Sequence, residues 1–229
     1  FTDGPMFQTF TLHVGDWVQD GDDEDDWDEQ IFDRKFSNIW KLMKNLPIQS
    51  CIGNHEDDGK LFERYFPYPY VPGGRFWSFD YGPAHITVID QYTKYKPGSP
   101  QYKWIVNDLT KTKKQWKFLV FHDPGWSAGG HKNEKDVQEY IQPLCKKYGV
   151  DVVFNGHNHY YSHCLVDGVH HLTVGGGGAP LYDVDLESEH LVTASKSHHF
   201  GEVTIRGKQL KFIARDRNGK IIDTFTINR

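Results

Sequence analysis

Apolar and polar positions follow two different periods along this chain. Thr9 to Val14 is a short apolar run that stops at Gly15-Asp16, the mark of a buried strand running into a turn. An acidic stretch from Asp20 to Glu29 passes into Ile31, Phe32, Phe36, Ile39, Trp40 and Met43 at helical spacing, and Pro47 predicts where that helix stops. A second strand, Ile48 to Ile52, ends in Gly53-Asn54-His55-Glu56. The alternating runs Phe76 to Tyr81 and Ala84 to Asp90 predict an antiparallel pair joined at Gly82-Pro83. A helix is expected from Ser99 to Thr110, then a buried strand from Trp116 to Phe121 that delivers His122-Asp123. A further helix, about Glu134 to Tyr148, precedes a strand from Val150 to Phe154 that delivers Gly156-His157-Asn158-His159. Beyond Tyr160 the pattern is all-β, through Leu165, Val169 to Val174, Gly201 to Ile205, Leu210 to Ala214 and Ile221 to Ile227, with a hairpin turn at Arg217 to Lys220.

Helices alternating with strands, followed by antiparallel strands, predict an α/β (α+β) fold of layered sheets with helices outside, in one domain over residues 1–229. Four of the strands end in His, Asp or Asn clusters. Because α/β sheets build their sites at the carboxyl ends of strands, these four turns are expected to converge.

Composition narrows the function classes. With 229 residues, 38% of them hydrophobic and 25% charged, the chain can bury a core, and no apolar run approaches the ~18–20 residues of a membrane span. A net charge of −5 with scattered basic residues argues against a nucleic-acid scaffold. Cys51, Cys145 and Cys164 are too few and too far apart for a disulfide framework or a CxxC zinc site, which leaves one disulfide or three free thiols, and neither Cys51 nor Cys145 has the context of a nucleophile. The acidic run does not make a calcium loop, since counting from Asp20 puts Asp25 where glycine is required and Ile31 where glutamate is required; it reads as a solvated helix N-terminus. Gly175 to Gly178 lacks the Gly-Lys-Ser/Thr of a phosphate loop and reads as a tight turn.

The four turns carry ligand chemistry in combination. A carboxylate (Asp16) can bridge two cations, imidazoles (His122, His157, His159) suit Zn, Fe or Mn, and an amide oxygen (Asn54) fills a shell without adding charge that would repel phosphate. Gly15, Gly53 and Gly156 let backbone come close to an ion.

This set and order resemble the calcineurin-like metallophosphoesterase superfamily, with its Gly-Asp, Gly-Asn-His-Glu/Asp, His and Gly-His-x-His motifs. Within it, Trp77-Ser-Phe-Asp-Tyr-Gly, Gln101-Tyr-Lys-Trp-Ile and Gly175-Gly-Gly-Gly-Ala-Pro-Leu-Tyr182 are similar to the purple acid phosphatase-like branch. The resemblance implies a four-layer α-β-β-α sandwich of two mixed sheets with flanking helices, and a metal-dependent phosphoester hydrolase, foremost a phosphomonoesterase, using a metal-bound hydroxide. Its cofactors would be two divalent or trivalent transition metals (Fe, Mn or Zn). It implies Asp16 as the bridge, Asn54, His122 and His157 in one metal's shell, and His159 in the other's. His55 would contact phosphate and serve the leaving oxygen, oriented by Glu56, with Asn54 also near substrate. The implied partner is a small phosphorylated substrate, and the branch favours a periplasmic or secreted site.

Three departures qualify this. The first motif, Asp-x-His or Asp-x-Gly, is not found as such, so part of the segment that carries it is expected to be missing, with Asp3 as a candidate ligand and the second metal position weak. Gln19 stands where the purple enzymes place an iron-binding Tyr, so the chromophore should be lacking. Asp123 stands where many relatives carry a second His that meets substrate; a carboxylate there repels phosphate unless paired or turned away, and His131 is the candidate replacement imidazole. Alternatives are a phosphodiesterase of the same superfamily and a catalytically silent metal- or phosphate-binding domain with an incomplete dinuclear site.

Overall fold

The computed structural model describes residues 10–229. The first apolar run forms β1 (Thr11–His13), followed by α1 (Glu24–Trp27), which widens into a π turn at Asp28–Phe32, then α2 (Ser37–Asn45), β2 (Ile48–Ser50) and α3 (Lys60–Tyr65). The single helix expected over this stretch is thus two pieces. Asp33 divides them: its backbone turns extended, and its side chain accepts the Lys35 amide at 2.8 Å, a local bond that competes with helix. Trp27 and Ile31 anchor the first piece in the core, whereas α2 buries none of its residues fully.

β3 (Trp77–Tyr81) and β4 (Ala84–Val88) form the expected hairpin, with Tyr81 opposite Ala84 across Gly82-Pro83. α4 (Pro100–Lys111) starts at Ser99, whose hydroxyl accepts the Tyr102 amide, and has Pro100 in its first turn, where a missing N–H costs nothing. β5 (Trp116–Val120) leads through a π turn at Val137–Ile141 into α5 (Gln142–Tyr148) and then β6 (Val152–Asn155). Pro143 accounts for the widened turn, because it has no N–H to continue an α ladder. Gly149, at φ 67°, closes α5 in a left-handed conformation. β7 (Tyr161–Val166), β8 (Val169–Val174), β9 (Leu191–Ser195), β10 (His199–Arg206), β11 (Gln209–Asp216) and β12 (Ile221–Asn228) complete the chain; β9 was not among the expected strands.

The large sheet has the order β3-β4-β5-β6-β8-β7-β9, parallel from β4 through β8 in the neighbours β4-β5-β6-β8 and antiparallel at the remaining pairs. Its two faces follow strand alternation. Ile86, Val88, Trp116, Phe118, Val120, Val152 and Phe154 face the inner core, together with Val14 and Cys51 from the β1-β2 turns and Leu210, Phe212 and Ala214 from β11. Leu119, Phe121 and Val153 face outward against Ile105 and Leu109 of α4 and Leu144 of α5. On the far side of β1 and β2, Ile52 packs with Trp27, Ile31, Phe62 and Phe66. The layers are therefore helix, sheet, sheet, helix. The second β layer is divided among the described residues: β1 and β2 form a parallel pair, and β10-β11-β12 form a separate antiparallel sheet.

This arrangement brings the carboxyl ends of β1, β2, β5 and β6 to one end of the molecule. No described helix is long and apolar enough to cross a membrane.

Candidate metal centre

Four turns meet at that end because three glycines permit it. A Cβ on Gly15, itself at φ 88°, would lie 2.7 Å from His122 Nδ1 and from the Gly53 nitrogen. One on Gly53 would overlap the Asp16 carboxylate, and one on Gly156 would lie 2.8 Å from the Val14 carbonyl. Asp16 and His157 themselves adopt positive φ, at 58° and 63°, which turns each side chain out of its strand direction.

Among the described residues, Asp16, His122 and His157 form a set whose donor atoms all lie within 4.8 Å of one another. His122 is fixed by a 2.6 Å contact between Nδ1 and the Val14 carbonyl, which makes Nδ1 the donor and turns Nε2 toward the cluster. Nε2 lies 2.9 Å from Asp16 Oδ2, so the ring is paired with the carboxylate at the centre of the cluster. Asn54 Oδ1 lies 2.9 Å from His157 Nδ1. The carboxylate, amide oxygen and two imidazoles predicted for one shell are thus together. A carboxylate, an amide oxygen and two imidazoles whose donor atoms converge this closely are the oxygen and nitrogen set that a transition metal takes, so these residues fit one.

The electrostatics of Asp16 and His157 suit that role. Burial alone would raise the Asp16 carboxyl, but the His122 ring and the His55 amide outweigh it and hold it at about 2. Burial, reinforced by His122 and His131, lowers His157 to about 4, which keeps it a neutral ligand. Burial also works against a charged His122, yet the Asp16 carboxylate raises it.

The other predicted residues are distributed around this cluster. The His55 amide donates to Asp16 Oδ1 at 3.0 Å, while its ring Nδ1 lies 2.6 Å from the Gln19 carbonyl. Glu56 therefore does not orient the His55 ring. Its fully buried carboxylate accepts the backbone amides of Asp16 (2.9 Å), Trp17 (2.6 Å) and Gly53 (2.6 Å), so it ties two turns together from beneath. His159 lies outside the cluster: its Nδ1 is 2.9 Å from the Pro180 carbonyl, and its ring stacks on Tyr182 at 4.3 Å. His131 sits against His157, with ring centroids 4.0 Å apart, and its amide donates to Asn158 Oδ1. Asp3 lies outside the described residues.

Beside the cluster is a cleft of about 560 Å³, lined by Asn54, His157, Asp123, His131, Lys132 and Glu134. Asp123 Oδ1 is 3.4 Å from His157 Nδ1. Burial pushes the Asp123 carboxyl up, His122 opposes this, and Glu134 and Asp16 add to the rise.

Two residues that shape the site were not among the expected site residues. Gln91 accepts the Asp123 amide with its side-chain oxygen and donates its side-chain amide to the Asp123 carbonyl. Tyr182 donates its amide to the His159 carbonyl as well as stacking on the ring. Gln91 carried a signal, since Asp90-Gln91 also follows a strand end; Tyr182 closes the Gly175–Tyr182 motif, but nothing in that motif pointed to His159.

Comparison with known proteins agrees with this geometry. The model of the family described as calcineurin-like phosphoesterase matches residues 8–161. Purple acid phosphatase 15 of Arabidopsis thaliana is 32% identical over 136 residues, covering 52% of this chain and 26% of that protein. A nucleotide pyrophosphatase/phosphodiesterase of Hordeum vulgare is 25% identical across 95% of this chain and 71% of its own length. The purple acid phosphatase PPD1 from yellow lupin (Lupinus luteus) seeds shares the fold with a TM-score of 0.79 at 22% identity, over 95% of this chain and 46% of that one. The chain thus spans about a quarter of the length of its Arabidopsis relative. With the matched residues running from before β1 to the start of β7, and with all the cluster side chains inside them, the chain belongs to the calcineurin-like phosphoesterase family, on its purple acid phosphatase-like branch.

Proposed function

We propose that this chain hydrolyses phosphoric esters at the Asp16–His122–His157 cluster. The observation that carries the reading is the convergence of the Asp16, His122 and His157 donor atoms within 4.8 Å of one another, with Asn54 Oδ1 beside His157 completing an oxygen and nitrogen donor set. A transition metal held there supplies a Lewis acid for a phosphoryl oxygen and a nucleophilic water at neutral pH.

The remaining residues supply binding and proton handling. His55 commits Nδ1 to the Gln19 carbonyl, which leaves Nε2 for substrate. In the imidazolium form, Nε2–H donates to the leaving oxygen; in the neutral form, Nε2 accepts. Binding the His55 amide to Asp16 Oδ1 keeps the ring in register with the donor set. His131, packed on His157 at the cleft, offers the second imidazole toward phosphate. Glu56 acts beneath the site, by fixing the turns that carry Asp16 and Asn54.

The branch supports phosphomonoesters, while one relative is named a nucleotide pyrophosphatase/phosphodiesterase, so both ester classes belong within the reading. A second metal position is supported less well, because His159 stands apart from the cluster that Asp16, His122 and His157 form. The test is to load the protein with Mn or Zn and measure hydrolysis of chromogenic phosphate esters beside metal content. Hydrolysis that vanishes in His122→Ala together with the metal supports the reading. Full metal binding with no turnover of any ester favours the silent domain.

A further inference from the structure

The cleft beside the donor cluster does not have the charge expected of a pocket built for a doubly charged phosphate. Two of its lining side chains, Asp123 and Glu134, are carboxylates, and Lys132 is the one lysine or arginine named with them. Asp123 is the nearer to the cluster, 3.4 Å from His157 Nδ1 and next in sequence to His122. It forms no ion pair with a lysine or arginine among the described residues, and the imidazole that it approaches, His157, belongs to the donor cluster. Nor is it turned away. Gln91 grips both its amide and its carbonyl, and its side chain lines the cleft. Glu134 lines the same cleft, so a ligand that brings negative charge enters beside two carboxylates.

We propose that Asp123 is a specificity-determining residue that selects singly charged phosphodiesters over doubly charged phosphomonoesters. This rests on the phosphoesterase reading above. A monoester loses its second proton near pH ~6 and is a dianion at neutral pH, whereas a diester stays a monoanion. A carboxylate fixed in the cleft repels the dianion about twice as strongly, and so offsets part of the attraction that a bound cation exerts on the extra charge. His131 and Lys132 line the same cleft as the two carboxylates, so the cleft carries no excess of fixed positive charge from lysine or arginine.

The experiment compares wild type with Asp123→Asn, which keeps shape and hydrogen-bonding backbone but removes the charge. Both proteins, loaded with Mn, are assayed at neutral pH on para-nitrophenyl phosphate and bis(para-nitrophenyl) phosphate, and metal content is measured on the same samples. The expected result is a rise of about tenfold in the monoester-to-diester ratio of kcat/KM, with the diester value changing less than about twofold and metal content the same. An unchanged ratio, or both substrates shifting together, overturns the proposal. Binding of inorganic phosphate by calorimetry is the second readout, expected to tighten about tenfold in Asp123→Asn. Should neither protein hydrolyse either ester, the phosphoesterase reading fails; phosphate binding then decides the charge proposal alone, and equal affinity in the two proteins overturns it.

Discussion

The carboxylate of Glu56 accepts the backbone amide of Asp16 at 2.9 Å, so a side chain from the second turn holds the backbone of the first. The same carboxylate accepts the amides of Trp17 and Gly53. Two parallel strands that meet only over three residue pairs are thereby joined again beyond their ends.

Glu56→Ala leaves three amides without an acceptor. Each buried orphan costs about 1–3 kcal/mol, partly recovered where water enters, so a loss of about 3 kcal/mol in urea unfolding is expected, with weakened metal binding. Glu56→Gln places an NH2 donor against amide donors and should recover less than half of that loss. Stability equal to wild type in both variants would contradict the tie.

His122→Ala and His55→Ala should separate binding from proton handling. Removing His122 takes away a donor to the cluster and should lower Mn or Zn affinity at least about 100-fold, more than the loss seen when only a ligand's supporting bond is removed. His55→Ala should bind metal within about threefold of wild type and lower turnover by about 100-fold. Calorimetry and elemental analysis check the first, ester hydrolysis the second. A His55→Ala protein emptied of metal would show that the ring itself is a ligand.

Gly15→Ala tests the close approach of the turns. The new methyl would meet His122 Nδ1 and the Gly53 nitrogen at 2.7 Å on a backbone at φ 88°. Strain and overpacking together should cost about 2–4 kcal/mol and abolish metal-induced stabilisation in a thermal melt. A neutral result would mean that the turns can separate without loss.

A pH window for stability follows from His85, which is buried with Nδ1 2.7 Å from Asp80 and Nε2 2.9 Å from Asp108. Burial opposes its charge, but Asp108 and Asp80 raise His85 above its ordinary value. Burial likewise opposes a charged Asp108, and His85 with Ser78 lowers it below the carboxylate range. A raised His contributes stability that is full below its unfolded value and lost as pH climbs through the folded one; a lowered Asp contributes stability above its unfolded value and loses it as pH falls. Both act together between about pH 4 and pH 6.5. The destabilisation caused by His85→Gln should therefore be largest there, about 1–2 kcal/mol, and shrink toward alkaline pH. A difference independent of pH would contradict the charge pairing.

The strands that carry the site were legible because each is a buried run with a polar turn at its end. Trp116 to Phe121 could only be a core strand, and His122 had to follow at its carboxyl end. That Asp16, His122, His157 and Asn54 converge was readable from repetition of this pattern. The role of Glu56 was not, since a carboxylate beside a histidine reads equally well as its partner; only the fold brings three amides from residues 16, 17 and 53 to it. Nor was the break at Asp33 visible, because Phe32 and Phe36 keep helical spacing across it while only Trp27 and Ile31 of this stretch are fully buried. β9 was missed for a similar reason: Leu191–Ser195 pairs with β7, far away in sequence, and its own pattern is only half apolar. The division of the second β layer depends on pairings between distant segments, which periodicity does not encode.

Asp16 and His157 both carry a backbone conformation that side-chain-bearing residues adopt at a cost of about 1–2 kcal/mol each. Glycine at either position would relieve that cost while deleting a cluster donor. Selection for thermal tolerance alone would therefore drift away from these two residues, and a laboratory campaign that ranks variants by melting temperature would erase the centre while improving its score. Screens on this chain should be run with metal present, so that tolerance to heat and possession of the donor set are rewarded together.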